Sequence, residues 1–161
     1  MDTVYIETSI VSHATAWPSP DPVTAVLQDQ ARRWMAEQRP QFNVVTSRLV
    51  LDEAALGDAD AARRRLAMLA DVPILDPNPD VEAVANEILA QALMPQSAKL
   101  DASHVATAAL AGIQFLLTQN CRHIANAIVL PRLYRLLDEL GLPGLLIYTP
   151  AEFLGGSPND R

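Results

Sequence analysis

The sequence predicts an α/β protein, a single domain with a central parallel sheet of five strands and helices on both faces. Short apolar segments that suit buried strands alternate along the chain with longer segments that suit helices. The chain has 161 residues, of which 50% are hydrophobic, enough to build one domain with a substantial core. We predict that this domain spans residues 1–154 and that the glycine-containing residues 155–161 form a flexible tail.

The predicted strands are short and almost wholly apolar. Strands of this kind suit a parallel sheet, because helices cover both of its faces and leave no side for polar residues. The predicted strands are Val4–Ile6, Phe42–Thr46, Val72–Leu75, Phe115–Thr118 and Leu145–Tyr148.

Capping residues mark where the predicted helices begin. Asp21-Pro22 combines a favourable N-cap with a proline at the first helical position, and Asn78-Pro79 repeats this signal. Ser47 and Asp58 are also suitable N-caps. The predicted helices run from Asp21 to about Gln38, Ser47 to near Gly57, Asp58 to Leu69, Asn78 to about Leu93, Asp101 to Gly112, and Pro131 to Leu140.

Composition and charge limit the possible functions. The formal net charge of −7 argues against a protein that coats nucleic acid non-specifically, although it leaves room for an enzyme with acidic metal ligands. Cys121 is the only cysteine, so an intrachain disulfide is excluded. The sequence lacks a basic signal-peptide region and an apolar stretch long enough to span a membrane. We therefore expect a cytoplasmic protein without a membrane partner.

Two polar residues follow predicted strands at their carboxyl ends. Glu7 comes directly after Val4–Ile6, and Asn120 comes shortly after Phe115–Thr118. Because open parallel sheets bind ligands beyond the carboxyl ends of their strands, both residues lie where a site is expected. The alternative is that both are ordinary turn residues, with a helix capped just after Glu7.

Glu53 lies in the middle of an apolar helical stripe. At about 100° per residue, Leu49 and Leu56 lie about 40° and about 60° to one side, and Val50 lies about 60° to the other. A carboxylate in such surroundings is rarely buried unless it is paired or binds a metal ion. The alternative is a tilted helix on which Glu53 reaches solvent or pairs with an arginine.

Asp101 opens an alanine-rich helix, and His104 follows about one turn later. By itself Asp101 could be a simple N-cap, since a carboxylate in the first turn is favoured by the helix dipole. With Glu7 and Glu53, however, it gives three carboxylates on elements that one sheet would bring together. With the amide of Asn120 they form an all-oxygen donor set, which suits Mg²⁺ or Mn²⁺ rather than zinc and implies phosphate chemistry.

Four segments carry a resemblance to a known family. They are Val4–Ile10, Thr46–Glu53, Lys99–Ala106 and Leu116–Asn126, of which the last two are the most specific. Together with the ending Thr149–Leu154 they extend over nearly the whole chain. In these segments the chain resembles the PIN domain family, and in particular the VapC-type ribonuclease toxins of bacterial toxin–antitoxin pairs.

The resemblance implies a PIN-like domain that is a metal-dependent endoribonuclease. In the family, acidic residues at four places bind one or two Mg²⁺ or Mn²⁺ ions, and these places correspond to Glu7, Glu53, Asp101 and Asn120. Two of them depart from the usual pattern. Glu7 stands where aspartate is usual, and the neutral Asn120 stands where aspartate is frequent, which should weaken binding of a second ion.

The resemblance also implies an RNA substrate, a cognate antitoxin that blocks the acidic groove, and a homodimer. Residues next to the predicted metal ligands are candidates for substrate contacts: Thr8, Ser9, His104, Arg122 and His123. We expect only a minor role for His104, in orienting a phosphate or a carboxylate.

Two other functions stay open at this point. A non-enzymatic PIN-like module that binds RNA or protein would be consistent with Asn120 and with the net charge of −7. A phosphatase on a doubly wound sheet ranks last, because Glu7-Thr8-Ser9 has no second carboxylate two residues after the first. The run Arg63-Arg64-Arg65 could hold RNA, but a charged run is more often the solvated face of a helix.

Overall fold

The computed structural model describes residues 1–154, which contain a four-stranded parallel sheet with helices around it. The strand order across the sheet is β2-β1-β3-β4, and all three neighbouring pairs are parallel. The predicted α/β class and parallel sheet are confirmed, while the predicted tail at 155–161 lies outside the described residues. The strands are β1 (Thr3–Ile6), β2 (Asn43–Val45), β3 (Phe115–Leu117) and β4 (Leu146–Tyr148).

The prediction of a fifth strand at Val72–Leu75 is wrong, because the sheet formed by the described residues has four strands. In the predicted segment only Ile74 is paired, in an isolated parallel bridge with Thr46. The carbonyl oxygen of Pro73 accepts a hydrogen bond from the Thr46 amide at 2.9 Å. Proline has no N–H group to donate, so it interrupts the regular pairing of a strand.

Eight α-helices lie in the described part of the chain. The predicted long helix after Asp21 is present, although its end at Trp34–Gln38 is a π-helical turn, which a 3₁₀ turn follows. The helix at Pro150–Leu154 was not predicted, and the helix at Thr8–Thr15 was considered only as the alternative to a metal role for Glu7. The helices are α1 (Thr8–Thr15), α2 (Pro22–Arg33), α3 (Arg48–Ala54), α4 (Ala59–Leu69), α5 (Val81–Ala90), α6 (Lys99–Leu110), α7 (Leu130–Glu139) and α8 (Pro150–Leu154).

Two predicted helix starts are displaced. α5 begins at Val81 rather than Asn78, because Asn78 Oδ1 accepts the amide of Asp80 at 2.8 Å in a turn before the helix. α6 begins at Lys99, with Ala98 at the N-cap, so Asp101 lies inside the first turn and does not cap the helix. The Asp101 carboxylate therefore does not cap the helix, which was the alternative explanation for its presence at this position.

The core lies between the sheet and the helices. The side chains of Val4, Tyr5 and Ile6 in β1 and of Leu116 and Leu117 in β3 are fully buried, as expected for central strands covered on both faces. A second packing feature joins the end of the described chain to the sheet. The ring of Phe153 in α8 lies 5.4–6.1 Å, centroid to centroid, from the rings of Trp34, Phe42, Phe115 and Tyr148.

The strand order creates a crevice at the carboxyl ends of β1 and β3. β2 lies on one side of β1, whereas β3 and β4 lie on the other, so the direction of winding changes between β1 and β3. Parallel sheets bind ligands at such a switch point. Glu7 follows β1 and Thr118 follows β3, and both therefore lie at this crevice. None of the helices in residues 1–154 is long and apolar enough to cross a membrane.

Candidate active site

Glu7 lies at the junction of β1 and α1. Its Oε2 accepts a hydrogen bond from the Ser9 amide at 3.0 Å, which caps α1, and further hydrogen bonds from the hydroxyl groups of Thr118 at 2.7 Å and of Ser9. Glu7 is only 4% exposed. A buried carboxylate needs hydrogen-bond partners, and here three neutral donors supply them without a cationic side chain.

Glu53 lies on α3 and reaches the first residue of α1. Its Oε1 accepts a hydrogen bond from the Thr8 hydroxyl group at 3.0 Å and contacts His104 Nε2. The Glu53 side chain is 24% exposed, so it is neither a fully buried core residue nor paired with an arginine. Burial raises the pKa of Glu53, but the interactions with His104 and Thr8 outweigh this effect and bring the pKa below its ordinary value.

His104 is fully buried and joins three elements of the fold. Its Nε2 contacts Glu53 on α3, and its Nδ1 lies 2.8 Å from Tyr5 Oη on β1. Tyr5 Oη in turn lies 2.7 Å from Ser47 Oγ. Because the buried ring offers no surface to a substrate, the prediction of His104 as a substrate contact is corrected. The expected minor role in orienting a carboxylate agrees with its contact with Glu53.

A second network connects Glu7 with Asn120 and Asp101. The backbone N–H of Asn120 donates a hydrogen bond to Thr118 Oγ1 at 3.0 Å, and the Thr118 hydroxyl group donates to Glu7. Asn120 Oδ1 accepts the amide of His123 at 3.0 Å, and His123 Nδ1 lies 2.9 Å from Asp101 Oδ2. Of the four residues predicted from the sequence, Glu53 belongs to the first network and the other three belong to the second. The two networks are adjacent, because Thr8 of the first directly follows Glu7 of the second in the chain.

Each of the three carboxylates is held through one oxygen only. Within residues 1–154, the protein hydrogen bonds of Glu7 are all on Oε2, those of Glu53 on Oε1, and that of Asp101 on Oδ2. The only buried side-chain N or O atom in this range without a hydrogen-bond partner is Trp34 Nε1. The second oxygen of each carboxylate therefore has no hydrogen-bond partner within this range and is not fully buried.

These donors fit a hard cation by their chemistry and placement. They are carboxylate and amide oxygens at the carboxyl edge of a parallel sheet, the ligand type that Mg²⁺ and Mn²⁺ prefer. In the side-chain positions of residues 1–154, no three His, Cys, Asp or Glu residues cluster closely enough to hold an ion together. Such a cluster is not required, because Mg²⁺ usually keeps several water ligands and binds one or two carboxylates directly.

The other predicted substrate contacts differ in what they can offer. Thr8 and Ser9 use their hydroxyl groups on Glu53 and Glu7, respectively. His123 is 24% exposed at its side chain and is engaged with Asp101. Arg122 is exposed, and its guanidinium group forms no ion pair with any residue in the described range.

Sequence reasoning missed two residues of these networks. Thr118 was assigned only to a strand, although a hydroxyl residue two positions before Asn120 is a signal that could have suggested a role. Tyr5 was assigned to β1 as an apolar strand residue. Its partners Ser47 and His104 are 42 and 99 residues away, so only the fold shows the connection.

Comparisons with known proteins agree with this fold. The family model described as the PIN domain matches residues 4–128 of the chain. Among solved structures, the chain is similar to the Mycobacterium tuberculosis toxin VapC20, which is described as cleaving the sarcin–ricin loop. The TM-score is 0.59 at 22% identity, over 77% of this chain and 95% of that one. This similarity bears on the fold alone. A comparison with curated protein sequences gives no match.

Proposed function

This chain belongs to the PIN domain family, and from that premise we propose that it is a metal-dependent endoribonuclease. The observation that carries the proposal is the state of the three carboxylates at the crevice. Glu7, Glu53 and Asp101 are each held through one oxygen by groups within residues 1–154 and keep the other available. A set of anchored carboxylates with open oxygens is suited to binding a divalent cation.

In this proposal Glu7, Glu53 and Asp101 hold Mg²⁺ or Mn²⁺, and Asn120 adds a neutral oxygen to the ion or its waters. When bound, the ion activates a water molecule and neutralises charge on the phosphoryl oxygens of a phosphodiester. The protein groups behind the ligands keep them in place. Ser9 and Thr118 hold Glu7, and the contacts of Thr8 and His104 hold Glu53.

The RNA substrate needs a positive contact, because a net charge of −7 makes the overall interaction of the chain with a phosphate backbone unfavourable. Arg122 is the residue we propose for this contact. It lies two positions after Asn120 and is exposed, and its guanidinium group, which forms no ion pair within residues 1–154, suits a phosphate. His123 borders the same position and is the second candidate.

We further propose that the chain is the toxin of a toxin–antitoxin pair. Its similarity in fold to VapC20, which is described as a toxin, supports this role. An antitoxin would then be a protein partner that covers the acidic crevice, for which an inserted arginine or lysine has the right charge. A homodimer is part of the same proposal.

A catalytically inactive binding module is the second candidate. Two observations favour it: the neutral Asn120, and the absence of a compact metal-binding cluster among residues 1–154. Metal affinity separates the two candidates, since a module that has lost its chemistry should bind Mn²⁺ poorly.

The test of the proposed function is metal-dependent cleavage. We would incubate the protein with a structured RNA in the presence of Mg²⁺, Mn²⁺ or EDTA, together with the variants Asp101→Asn and Asp138→Asn. Asp138 is exposed on α7 and provides a control for loss of one carboxylate charge. We expect cleavage by the wild type and Asp138→Asn only with metal, and none by Asp101→Asn. Equal cleavage by Asp101→Asn and wild type would remove Asp101 from the mechanism.

A further inference from the structure

We infer that His104 is a positioning residue for metal binding, which holds Glu53 in place while Tyr5 and Ser47 hold His104. The inference rests on the proposed function and deepens it, because it concerns how one ligand of the same site is oriented. His104 does not touch the ion or the RNA in this role, since its ring is fully buried. It acts through Glu53 Oε1, with which its Nε2 is in contact.

The contacts of His104 form a closed connection between β1, α3 and α6. Tyr5 on β1 contacts both His104 Nδ1 at 2.8 Å and Ser47 Oγ at 2.7 Å. Ser47 is the N-cap of α3, where its Oγ accepts the amide of Val50 at 3.3 Å. Because α3 also carries Glu53, this helix is held both at its cap and at its carboxylate.

Hydrogen-bond chemistry gives these contacts a direction. A carboxylate oxygen only accepts, so His104 Nε2 carries a proton and donates it to Glu53. An Nδ1 atom without a proton accepts from the Tyr5 hydroxyl group, which in turn accepts from Ser47. Burial raises the pKa of Tyr5, and this effect outweighs the hydrogen bond with Ser47, which lowers the pKa. The charges of Glu7 and Glu53 raise the pKa further. The phenol therefore keeps the proton that it donates.

The consequence for the site is that Glu53 has a defined free oxygen. The contacts with His104 and Thr8 are both on Oε1, which leaves Oε2 available to a cation. Without His104, only the Thr8 hydroxyl group would hold a side chain with several rotatable bonds. Groups that orient metal ligands in this way typically change metal affinity by roughly 10- to 100-fold.

Calorimetric titration with Mn²⁺ alone tests the inference on the full chain. His104→Leu fills a similar volume but has no donor, whereas His104→Gln keeps an N–H group that can face Glu53. We expect His104→Leu to weaken Mn²⁺ binding by roughly 10- to 100-fold and His104→Gln to recover most of this loss. A purely structural role would not distinguish the two variants in this way. Tyr5→Phe, which keeps the ring of His104 but removes its hydroxyl partner, should fall between them.

The matched control is Tyr134→Phe. The Tyr134 hydroxyl group accepts the amide of Ile147 at 2.8 Å in a partly buried position, and within residues 1–154 it forms no hydrogen bond with a residue of the two networks. We expect this variant to lose stability in urea, as Tyr5→Phe does, and to keep the wild-type affinity for Mn²⁺. Equal affinities in Tyr134→Phe and Tyr5→Phe would overturn the inference.

Glu53→Gln separates failure of the inference from failure of the proposed function. Suppose that the wild type binds Mn²⁺ and that Glu53→Gln does not. If a folded His104→Leu protein then binds Mn²⁺ as tightly as the wild type does, the inference alone is overturned. If wild type binds no Mn²⁺, or Glu53→Gln binds it equally well, the proposed function fails and the inference fails with it. If His104→Leu does not fold, Tyr5→Phe decides, and unchanged affinity there overturns the inference.

Discussion

Asn120 determines how much negative charge the crevice offers at its fourth position. Its Oδ1 already accepts the backbone N–H of His123 at 3.0 Å, and its own backbone N–H donates to Thr118 Oγ1. An aspartate could accept the same hydrogen bond from His123 with one oxygen and present the other to a cation. Compared with an aspartate, the asparagine thus keeps the local backbone arrangement but removes one negative charge from the site.

This difference predicts the effect of Asn120→Asp. The added charge should tighten Mn²⁺ binding by at least about 1 kcal/mol, or about fivefold in Kd, because opposite charges attract at ligand distances even in water. Calorimetry on the two proteins measures the change. An unchanged Kd would mean that residue 120 does not face the ion.

The buried hydroxyl group of Thr118 leads us to expect a loss of stability when it is removed. Its hydroxyl group is fully buried and donates to Glu7 at 2.7 Å, so Thr118→Val keeps the shape and leaves Glu7 with one donor fewer. Hydrogen bonds to charged groups contribute about 1.5–3 kcal/mol, and we expect a loss of that order in urea unfolding. Thr107→Val is the control, since its half-buried hydroxyl group donates only to the Ser103 carbonyl group on the same helix. Equal losses in both variants would contradict a special role for Thr118.

At the level of residues, the sequence allowed part of the site to be predicted. Glu7 and Asn120 follow strands and Glu53 interrupts an apolar stripe, so the local pattern alone singles them out. Thr118 and Tyr5 leave no such signal. The role of a hydroxyl group depends on its hydrogen-bond partner in the folded protein, and Glu7 lies 111 residues from Thr118 in the chain.

At the level of elements, each carboxylate of the site comes from a different part of the fold. Glu7 precedes α1, Glu53 lies on α3 and Asp101 lies in the first turn of α6. α1 was considered only as the alternative to a metal role for Glu7, and the cap that Glu7 itself provides through the Ser9 amide was not foreseen. One carboxylate therefore has both a structural and a proposed functional role, and such double use is difficult to read from a sequence.

The arginine run of α4 illustrates the opposite case. Arg64 donates to the Thr15 carbonyl group and Arg65 to that of Ala54, each at 3.0 Å. Arg63 and Arg64 also pair with Asp60 on the same helix. Arg64 and Arg65 thus join α4 to the ends of α1 and α3, while Arg63 pairs within α4. Because all three are engaged within the protein, Arg122 is the better candidate for an RNA contact.

The contact between α3 and α6 predicts a dependence of stability on pH. The pKa of Glu53 is lower in the folded protein than its ordinary value, so the ionised carboxylate stabilises the fold. This contribution is present above the ordinary glutamate pKa of about 4.3 and is lost as the pH falls through the lower folded value. In urea unfolding with EDTA, Glu53→Gln should lose less stability than wild type between about pH 6 and about pH 3. Parallel pH curves for the two proteins would contradict this.

At the level of the whole molecule, the fold class follows from the alternation of strand and helix signals, while the extent of the sheet does not. The predicted fifth strand has apolar residues of the right kind, but Pro73 limits it to one bridge between Ile74 and Thr46. Strand pairing depends on backbone donors as well as on side-chain polarity. In a short segment, a proline without an N–H group can prevent regular pairing even when its neighbours are apolar. The crevice is unaffected, because it lies between β1 and β3, whereas the bridge lies beside β2 at the edge of the sheet.

We propose that the free oxygens of Glu7, Glu53 and Asp101 belong to one site for a divalent cation. Anomalous scattering from a crystal of the protein soaked in Mn²⁺ tests it most directly, because the signal locates the ion without reference to activity. We predict one strong peak in the crevice, with Glu7 Oε1, Glu53 Oε2 and Asp101 Oδ1 bound to the ion directly or through its waters. A protein that binds Mn²⁺ only elsewhere, or shows no peak in the crevice, would contradict the claim.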